Sequence, residues 1–196
     1  MEVSKIEHRH FIIFKPYGYL SQFESNDSKQ QSKKFLGRLH DFPEGIMAIG
    51  RLDEASEGLL LLTTNGKTSA FINSQKVDKE YYAQVDGDIS EAAIAQLKTG
   101  VAIRVEGEMY KTKPCKAFKL ESAPELPKRA KKIRDDRHGP TSWVSITLNE
   151  GKFRQVRKMT SVVGYPTLRL VRVRVGGIHI NNMDAGDVIE VIEFDL

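Results

Sequence analysis

Short apolar runs, separated by glycine, proline and polar residues, predict a chain made mainly of strands. Apolar or alternating runs predict strands over residues 11–14, 46–49, 59–62, 79–85 and 142–148. The four leucines at 59–62 do not alternate with polar residues, so we expect this strand to be covered on both faces. Asn65-Gly66 follows it and predicts a turn, because both residue types tolerate positive φ.

The strand over 79–85 has a clear period of two. This places Tyr81, Ala83 and Val85 on one face of the sheet and Tyr82 on the other. Two or three further strands follow in residues 101–120, and residues 124–140, rich in charge and proline, predict a loop.

Helical spacing is present in three segments. Residues 67–74 predict a short helix with Phe71 and Ile72 facing inward, and residues 89–99 predict one with Ser90 as N-cap and Gly100 as its stop. The third helix is expected over residues 153–163, with an apolar face formed by Phe153, Val156, Met159 and Val163.

Residues 167–175 alternate basic and apolar positions but slip register at Leu170-Val171, which predicts a β-bulge. Strands outnumber helices and do not alternate regularly with them. The pattern therefore favours an α+β fold with a mixed, mainly antiparallel sheet and flanking helices.

Charge is distributed unevenly along the 196 residues. The net charge is +4, yet residues 152–174 hold seven basic residues and no acidic one, and residues 128–137 hold six basic and two acidic ones. This segregation predicts a surface for a polyanion, most simply a nucleic acid. Solvated strand and helix faces are the alternative, and for Arg169, Arg172 and Arg174 taken singly the two interpretations are equally good.

Other chemistries find little support in the sequence. One cysteine excludes an internal disulfide, five dispersed histidines give no metal-site spacing, and no dinucleotide glycine motif is present. We therefore expect no metal and no cofactor. Residues 1–9 form a polar leader unlike a signal peptide, and no segment could span a bilayer, so a cytoplasmic protein is expected.

The best candidate for chemistry is Asp53, which lies in the glycine-bounded segment 50–58 before the leucine run. A carboxylate at the end of a buried strand could act in catalysis. It could also cap a helical turn and pair with Arg51 at the surface, and spacing alone favours this second interpretation. Glu54 and Glu57 are interpreted as solvated loop residues.

Three segments taken together resemble one family. They are GRLD with its trailing leucines and Asn-Gly, KEYYAQV, and EGKFRQVRKM followed by VGYPTLRLVRVRVGG, and they resemble the RsuA-like pseudouridine synthases over residues 10–180. The FKPYGYLSQF and PTSW stretches are similar to members that act on the large ribosomal subunit. The resemblance implies isomerisation of one uridine in ribosomal RNA, with 23S RNA as the expected substrate, on a sheet with two sub-lobes around a basic catalytic cleft.

The resemblance also implies roles for individual residues. Asp53 matches the catalytic aspartate, Tyr81 the tyrosine that stacks on the target base, and Arg157 the basic residue that pairs with the aspartate. The side chains expected to bind substrate are Arg51, Leu52, Arg154, Lys158, Leu170 and Arg172. We expect one catalytic domain over residues 10–196, without the S4-like domain of many relatives, acting as a monomer.

Three alternatives stay open from the sequence. The RNA could be transfer RNA, the protein could be a non-catalytic RNA-binding or ribosome-assembly factor, or it could be a nucleoside hydrolase. A hydrolase usually needs a second carboxylate or a metal, and a pure binder has no reason to bury a carboxylate among arginines.

Overall fold

The computed structural model describes residues 7–30, 32–74, 76–134 and 136–196. Most of the expected leader, residues 1–6, lies outside this part of the chain. Three α-helices are present in it: α1 (Gly66–Asn73), α2 (Glu91–Thr99) and α3 (Gln155–Val162). The described strands are β1 (His10–Lys15), β2 (Tyr19–Leu20), β3 (Lys34–Phe35), β4 (Met47–Ile49), β5 (Glu57–Thr63), β6 (Lys79–Asp86), β7 (Ala102–Val105), β8 (Glu108–Lys111), β9 (Lys116–Lys119), β10 (Thr141–Leu148), β11 (Thr167–Val175), β12 (Ile178–His179) and β13 (Val188–Val191).

Nine strands form the main sheet, in the order β13-β1-β5-β11-β6-β10-β9, with β4 paired to β5 and β12 to β11. Every pair in it is antiparallel except β5 with β11, which run parallel. The expected α+β fold with a mixed, mainly antiparallel sheet is confirmed. The division into two sub-lobes stays a prediction.

Strand β5 is buried along its whole length, as its lack of alternation predicts. Leu59 and Leu61 pack with Ile72 of α1 in one apolar cluster, while Leu60 and Leu62 belong to a different cluster around Phe11. The strand is therefore covered on both faces and fixes the position of the loop that precedes it.

The segment after β5 differs from the prediction. Asn65 has φ of −102°, and its Oδ1 accepts hydrogen bonds from the backbone N–H groups of Lys67 and Thr68. It caps α1 instead of forming a positive-φ turn, because an asparagine that precedes a helix can satisfy its free N–H groups. Within α1, Ile72 is buried as expected, but Phe71 is 51% exposed and does not face the core.

Helix α2 and strand β6 follow the sequence pattern closely. Ser90 Oγ accepts a hydrogen bond from the Ala93 N–H at 3.2 Å, and Gly100 ends the helix with φ of +86°. Ala83 and Val85 pack in the same cluster as α2, with Tyr81 against it, whereas Tyr82 packs on the other face. One tyrosine therefore faces each side of the sheet, as predicted.

Helix α3 begins two residues later than predicted, at Gln155, because Arg154 adopts a left-handed conformation with φ of +54°. Val156 and Met159 are buried as expected, whereas Phe153 precedes the helix and is 66% exposed. The assignment of Phe153 to the core is therefore wrong.

Strand β11 is irregular, but not where the sequence predicts. Its register against β6 shifts between Thr167 and Arg169 and again between Arg172 and Arg174, not at Leu170-Val171. The strand lies between β5 and β6 in the middle of the sheet, so Arg169 and Arg172 are buried instead of solvated. No helix in the described residues is long and apolar enough to cross a membrane.

Candidate active site

The loop between β4 and β5 carries Asp53 and is fixed by hydrogen bonds to its backbone. Ser21 Oγ accepts from the Leu52 N–H at 2.9 Å and donates to the Leu52 carbonyl at 2.8 Å. The Gly18 N–H donates to the Glu54 carbonyl at 2.8 Å. These bonds bracket Asp53 on both sides, so the carboxylate has a defined position.

Two arginines from the α3 region converge on that carboxylate. Asp53 Oδ2 lies 3.3 Å from Arg154 Nη1 and 3.7 Å from Arg157 Nε. Arg157 is the deeper of the two, with 12% of its side chain exposed against 43% for Arg154. The structure therefore brings the expected partner Arg157 to Asp53, and it adds Arg154, which the sequence assigns to substrate.

Arg157 also holds the loop itself. Its Nη2 donates to the Ala55 carbonyl at 2.9 Å and to Ser56 Oγ at 3.1 Å. Burial lowers the pKa of Arg157, the charge of Arg154 lowers it further, and the charge of Asp53 opposes both effects. Arg157 is thus both a counter-ion of Asp53 and a structural tie between α3 and the loop that carries Asp53.

The turn before α3 is fixed by a buried carboxylate. Glu150 accepts hydrogen bonds from the Tyr110 hydroxyl at 2.5 Å, the Lys113 N–H at 2.9 Å and Gln155 Nε2 at 2.7 Å. Burial raises the pKa of Glu150, but these hydrogen bonds outweigh it and lower the pKa overall. The network thus holds Gln155, the first residue of α3, next to Arg154, whose backbone is left-handed with φ of +54°. A left-handed residue other than glycine costs about 1 kcal/mol or more.

A small cavity of about 70 Å³ opens beside the carboxylate. Tyr81, Leu148, Val156 and Leu170 supply an aromatic ring and an apolar wall, and Asp53 and Arg154 line the same cavity. A flat ring next to a charged group suits a nucleobase taken out of its stack, since the base can stack on one side and present its polar edge to the other.

A second cavity of about 340 Å³ is not lined by Asp53, and it shares with the first Arg51, Tyr81, Glu150, Gly151 and Lys152. Lys79 and Arg172 also line it, so four cations surround this outer space. Such a rim suits the phosphates on either side of a base held in the inner cavity.

Most of the residues predicted for the site meet there. Arg51, Leu52, Asp53, Tyr81, Arg154 and Leu170 line the inner cavity, and Arg157 lies behind Asp53. Arg172 lines the outer cavity, although its Nε is engaged with the Leu59 carbonyl at 2.7 Å. Lys158 is the exception, because its Nζ donates to the Arg104 carbonyl at 2.7 Å and the side chain lines neither cavity.

The prediction that Glu57 is a solvated loop residue is wrong. Glu57 belongs to β5 and is 2% exposed. Its Oε1 is 2.9 Å from Arg169 Nη2, and its Oε2 accepts from Arg169 Nε at 3.1 Å and lies 3.2 Å from Arg129 Nε. The two arginines lie 112 and 72 residues further along the chain, so local sequence gives no sign of the pairing.

Sequence reasoning also missed Lys15, whose side chain is fully buried beneath the loop that precedes Ser21. Its Nζ donates to the carbonyls of Pro16 at 3.0 Å and Tyr19 at 2.7 Å. Burial lowers the pKa of Lys15 to about 7. The position of Lys15 directly before the proline turn is the one sign of its burial in the sequence. It is a weak sign, because a lysine at the end of a strand is usually solvated.

The arrangement can hold an ionised carboxylate against an apolar, aromatic surface. Two guanidinium groups offset the cost of burying that charge and orient its oxygen atoms. A carboxylate placed in this way can act as a nucleophile or as a base. In the described residues, no group of three His, Cys, Asp or Glu side chains is arranged to hold a metal ion.

Comparison with known proteins gives one consistent result. The family model for RNA pseudouridylate synthase matches residues 9–162. The chain is 38% identical to a ribosomal large subunit pseudouridine synthase E of Xanthomonas campestris pv. campestris, over 89% of this chain and 91% of the relative. It is 40% identical to the protein of that name from Xanthomonas axonopodis pv. citri, over 84% of each.

A solved structure supports the same assignment. A pseudouridylate synthase crystal structure superposes with a TM-score of 0.72 and 25% identity, covering 94% of this chain and 70% of that one. The sequence motifs, the sheet and these matches agree, so the chain belongs to the RNA pseudouridylate synthase family, within its RsuA-like group.

Proposed function

We propose that this protein converts one uridine of large-subunit ribosomal RNA into pseudouridine, with Asp53 as the catalytic carboxylate. One observation carries the proposal: Asp53 Oδ2 is shared by Arg154 and Arg157 at the wall of a cavity that also contains Tyr81. The names of the two Xanthomonas relatives support the choice of large-subunit RNA.

The reaction breaks the bond between N1 of uracil and C1′ of ribose, and forms a bond between C5 and C1′. C5 loses a proton and N1 gains one, so no electrons and no atoms enter from a cofactor. Asp53 serves by adding to the ribose or the base, or by removing a ribose proton while a glycal forms. Each route needs the ionised carboxylate that the arginines stabilise.

The other residues hold the substrate in this proposal. Tyr81 stacks on the extruded uracil, and Leu52 and Leu170 complete the apolar wall. Arg51 and Arg172 hold flanking phosphates in the outer cavity. We also propose that residues 10–196 form one catalytic domain that acts as a monomer in the cytoplasm.

Two alternatives lose support. A nucleoside hydrolase would need a second carboxylate or a metal, but Glu57 is paired with Arg169 and Arg129, and Glu54 with Lys33 at 2.9 Å. Glu150 lines the inner cavity with Asp53, but it already accepts hydrogen bonds from Tyr110, Lys113 and Gln155. A non-catalytic binder would gain nothing from placing Asp53 against Arg157, since an anion on the binding surface repels phosphates.

The test is to incubate the protein with transcribed large-subunit RNA, small-subunit RNA and transfer RNA. Pseudouridine is then mapped by carbodiimide adducts and primer extension. One new position in the large-subunit RNA alone is expected. Modification confined to transfer RNA would show that transfer RNA, not large-subunit RNA, is the substrate. Tight binding with no modified position in any RNA would refute the enzymatic proposal.

A further inference from the structure

The loop between β9 and β10 contains a basic segment, residues 126–134, which we call the strap. Its sequence places five cations within nine residues: Lys128, Arg129, Lys131, Lys132 and Arg134. The structure separates them into two groups. The two arginines are engaged with acidic residues of the main sheet, and the three lysines are exposed to solvent.

Arg129 is the first anchor of the strap. Its Nε lies 3.2 Å from Glu57, a carboxylate that is 2% exposed, and its guanidinium lies 4.1 Å from the centre of the Tyr17 ring. Arg169 binds the same carboxylate and also donates to the Pro127 carbonyl at 2.7 Å. A buried carboxylate is stable only with such partners, so the strap backbone is held where Glu57 requires it.

Both contacts of Arg129 border the catalytic loop. Glu57 follows Asp53 by four residues and begins β5. Tyr17 adjoins Gly18, whose N–H donates to the Glu54 carbonyl at 2.8 Å. The strap is therefore attached to the same backbone that positions the catalytic carboxylate.

Arg134 is the second anchor, because it forms an ion pair with Asp86 at the end of β6. The strap is thus fixed at two points, one against β5 and one against β6. Between and beside them, Lys128, Lys131 and Lys132 extend into solvent, and no described acidic side chain pairs with any of the three.

A charged loop needed only for solubility would not require a buried ion pair to hold it. Fixing the backbone reduces the entropy that the lysines lose on binding, and lysine is a suitable point-charge ligand for phosphate. We propose that the strap is a second RNA-binding surface, with Lys128, Lys131 and Lys132 holding phosphates of the RNA outside the two cavities. Leu126 of the strap packs with Tyr82, on the face of the sheet opposite Tyr81, so these phosphates are separate from those beside the target uridine. This proposal rests on the proposed function.

The experiment measures the affinity for transcribed large-subunit RNA as a function of salt. In the test variant Lys128→Ala, Lys131→Ala and Lys132→Ala are combined. The matched control combines Lys98→Ala, Lys111→Ala and Lys116→Ala, which removes three exposed lysines on α2, β8 and β9. Neither set includes a residue of the two cavities.

In the test variant, the slope of log affinity against log salt concentration should decrease by about 2, because each phosphate that the protein no longer binds reduces it by about 0.7. Its affinity at about 0.1 M salt should fall at least about tenfold. Turnover at saturating RNA should stay within about twofold, because Asp53, Arg154 and Arg157 are unchanged. The control variant should keep most of the original slope.

An unchanged slope in the test variant, or an equal decrease in the control, would overturn the strap proposal. The two proposals fail separately. If the wild-type protein binds RNA without modifying it, the proposed function fails and the slopes still test the strap. If the wild-type protein modifies the RNA and the test variant keeps its slope, only the strap proposal fails. If the wild-type protein binds no RNA, both are refuted.

Discussion

Gly58 lies directly against the backbone of Arg172. A Cβ atom at Gly58 would stand 2.3 Å from the Arg172 carbonyl oxygen and 2.8 Å from its nitrogen, and the glycine has φ of +103°. This close approach is the parallel pairing of β5 with β11, and it fixes how the loop of Asp53 meets the strand that carries Leu170 and Arg172.

The substitution Gly58→Ala should therefore destabilise the fold. The methyl group clashes with backbone atoms that cannot rotate away, and the positive φ adds strain, so we expect a loss of more than about 2 kcal/mol. Urea unfolding measures the change. Gly107→Ala has a similar φ of +90° but meets no atom within 4 Å, so it is the control for strain without a clash. Equal losses would show that the close approach does not matter.

Asp53→Asn should abolish pseudouridine formation while RNA binding is retained. The amide keeps the shape of the side chain but cannot act as nucleophile or base, so turnover should fall by at least about 10³-fold. Turnover is followed by mapping modified positions, and affinity by filter binding. Glu54→Gln, next to Asp53 but paired with Lys33, should keep its turnover. A well-folded Asp53→Asn protein with substantial turnover would exclude the assigned role.

Two arginine substitutions should affect different properties: Arg157→Ala should lower turnover, and Arg174→Ala should lower stability. Arg157 contacts Asp53 and holds its loop, so its removal should lower turnover at saturating RNA by about 10²-fold. Arg174 is paired with Glu80 at 2.9 Å, so it is not free for phosphate even though it lies in a basic strand. We expect Arg174→Ala to lower stability by about 1–2 kcal/mol, because both partners keep some exposure. Similar decreases in turnover at saturating RNA would argue against the pairing of Arg157 with Asp53.

Tyr81 should contribute to substrate binding through stacking by its aromatic ring. Tyr81→Phe keeps the stacking surface and should retain turnover within about tenfold, whereas Tyr81→Ala should weaken substrate interaction by about 1–3 kcal/mol. Steady-state kinetics on one RNA compare the two variants, and Tyr82→Phe on the other face of the sheet is the control. A Tyr81→Phe protein as inactive as Asp53→Asn would assign a chemical role to the hydroxyl.

Lys15 should make stability depend on pH. Burial lowers its pKa from 10.5 to about 7, Glu57, Asp53 and Glu54 oppose this, and Arg172 adds to it. Between pH 7 and 10.5 the unfolded chain therefore binds a proton that the folded chain does not. It follows that the contribution of Lys15 to stability rises with pH across this window and is constant below it.

The measurement is urea unfolding of the wild-type protein and of Lys15→Met at pH 6, 7, 8 and 9. The unfolding free energy of the wild type should increase relative to the variant above pH 7. Subtracting the variant removes the titration of the histidines and carboxylates common to both proteins. Parallel profiles from pH 6 to 9 would show that Lys15 keeps its ordinary pKa.

Features set by neighbouring residues could be predicted from the sequence, and features set by distant ones could not. The opposite faces of Tyr81 and Tyr82 follow from a period of two, and the cap at Ser90 from residues three apart. Asn65 favours turns and helix caps alike, so its role as a cap depends on the helix that follows.

The environment of Asp53 also has a part that is set by neighbouring residues and a part that is set by distant ones. Its position between two strands is a local property, and the family resemblance supplied Arg157 as its partner. The approach of Arg154 could not be predicted, because it depends on a left-handed backbone at the residue before α3. The burial of Glu57 depends on Arg169, and a residue's distant partners are not visible in a single sequence.

The hydrogen bond between Asp53 and Arg154 joins residues 101 positions apart. The ribosome synthesises the chain from the N-terminus to the C-terminus. Asp53 therefore leaves the ribosome long before α3 and β11 are available to complete its surroundings. Interactions of such separation form late in folding. A nascent chain that ends before residue 171 lacks the parallel partner of β5, and it would therefore carry Asp53 without a complete pocket around it.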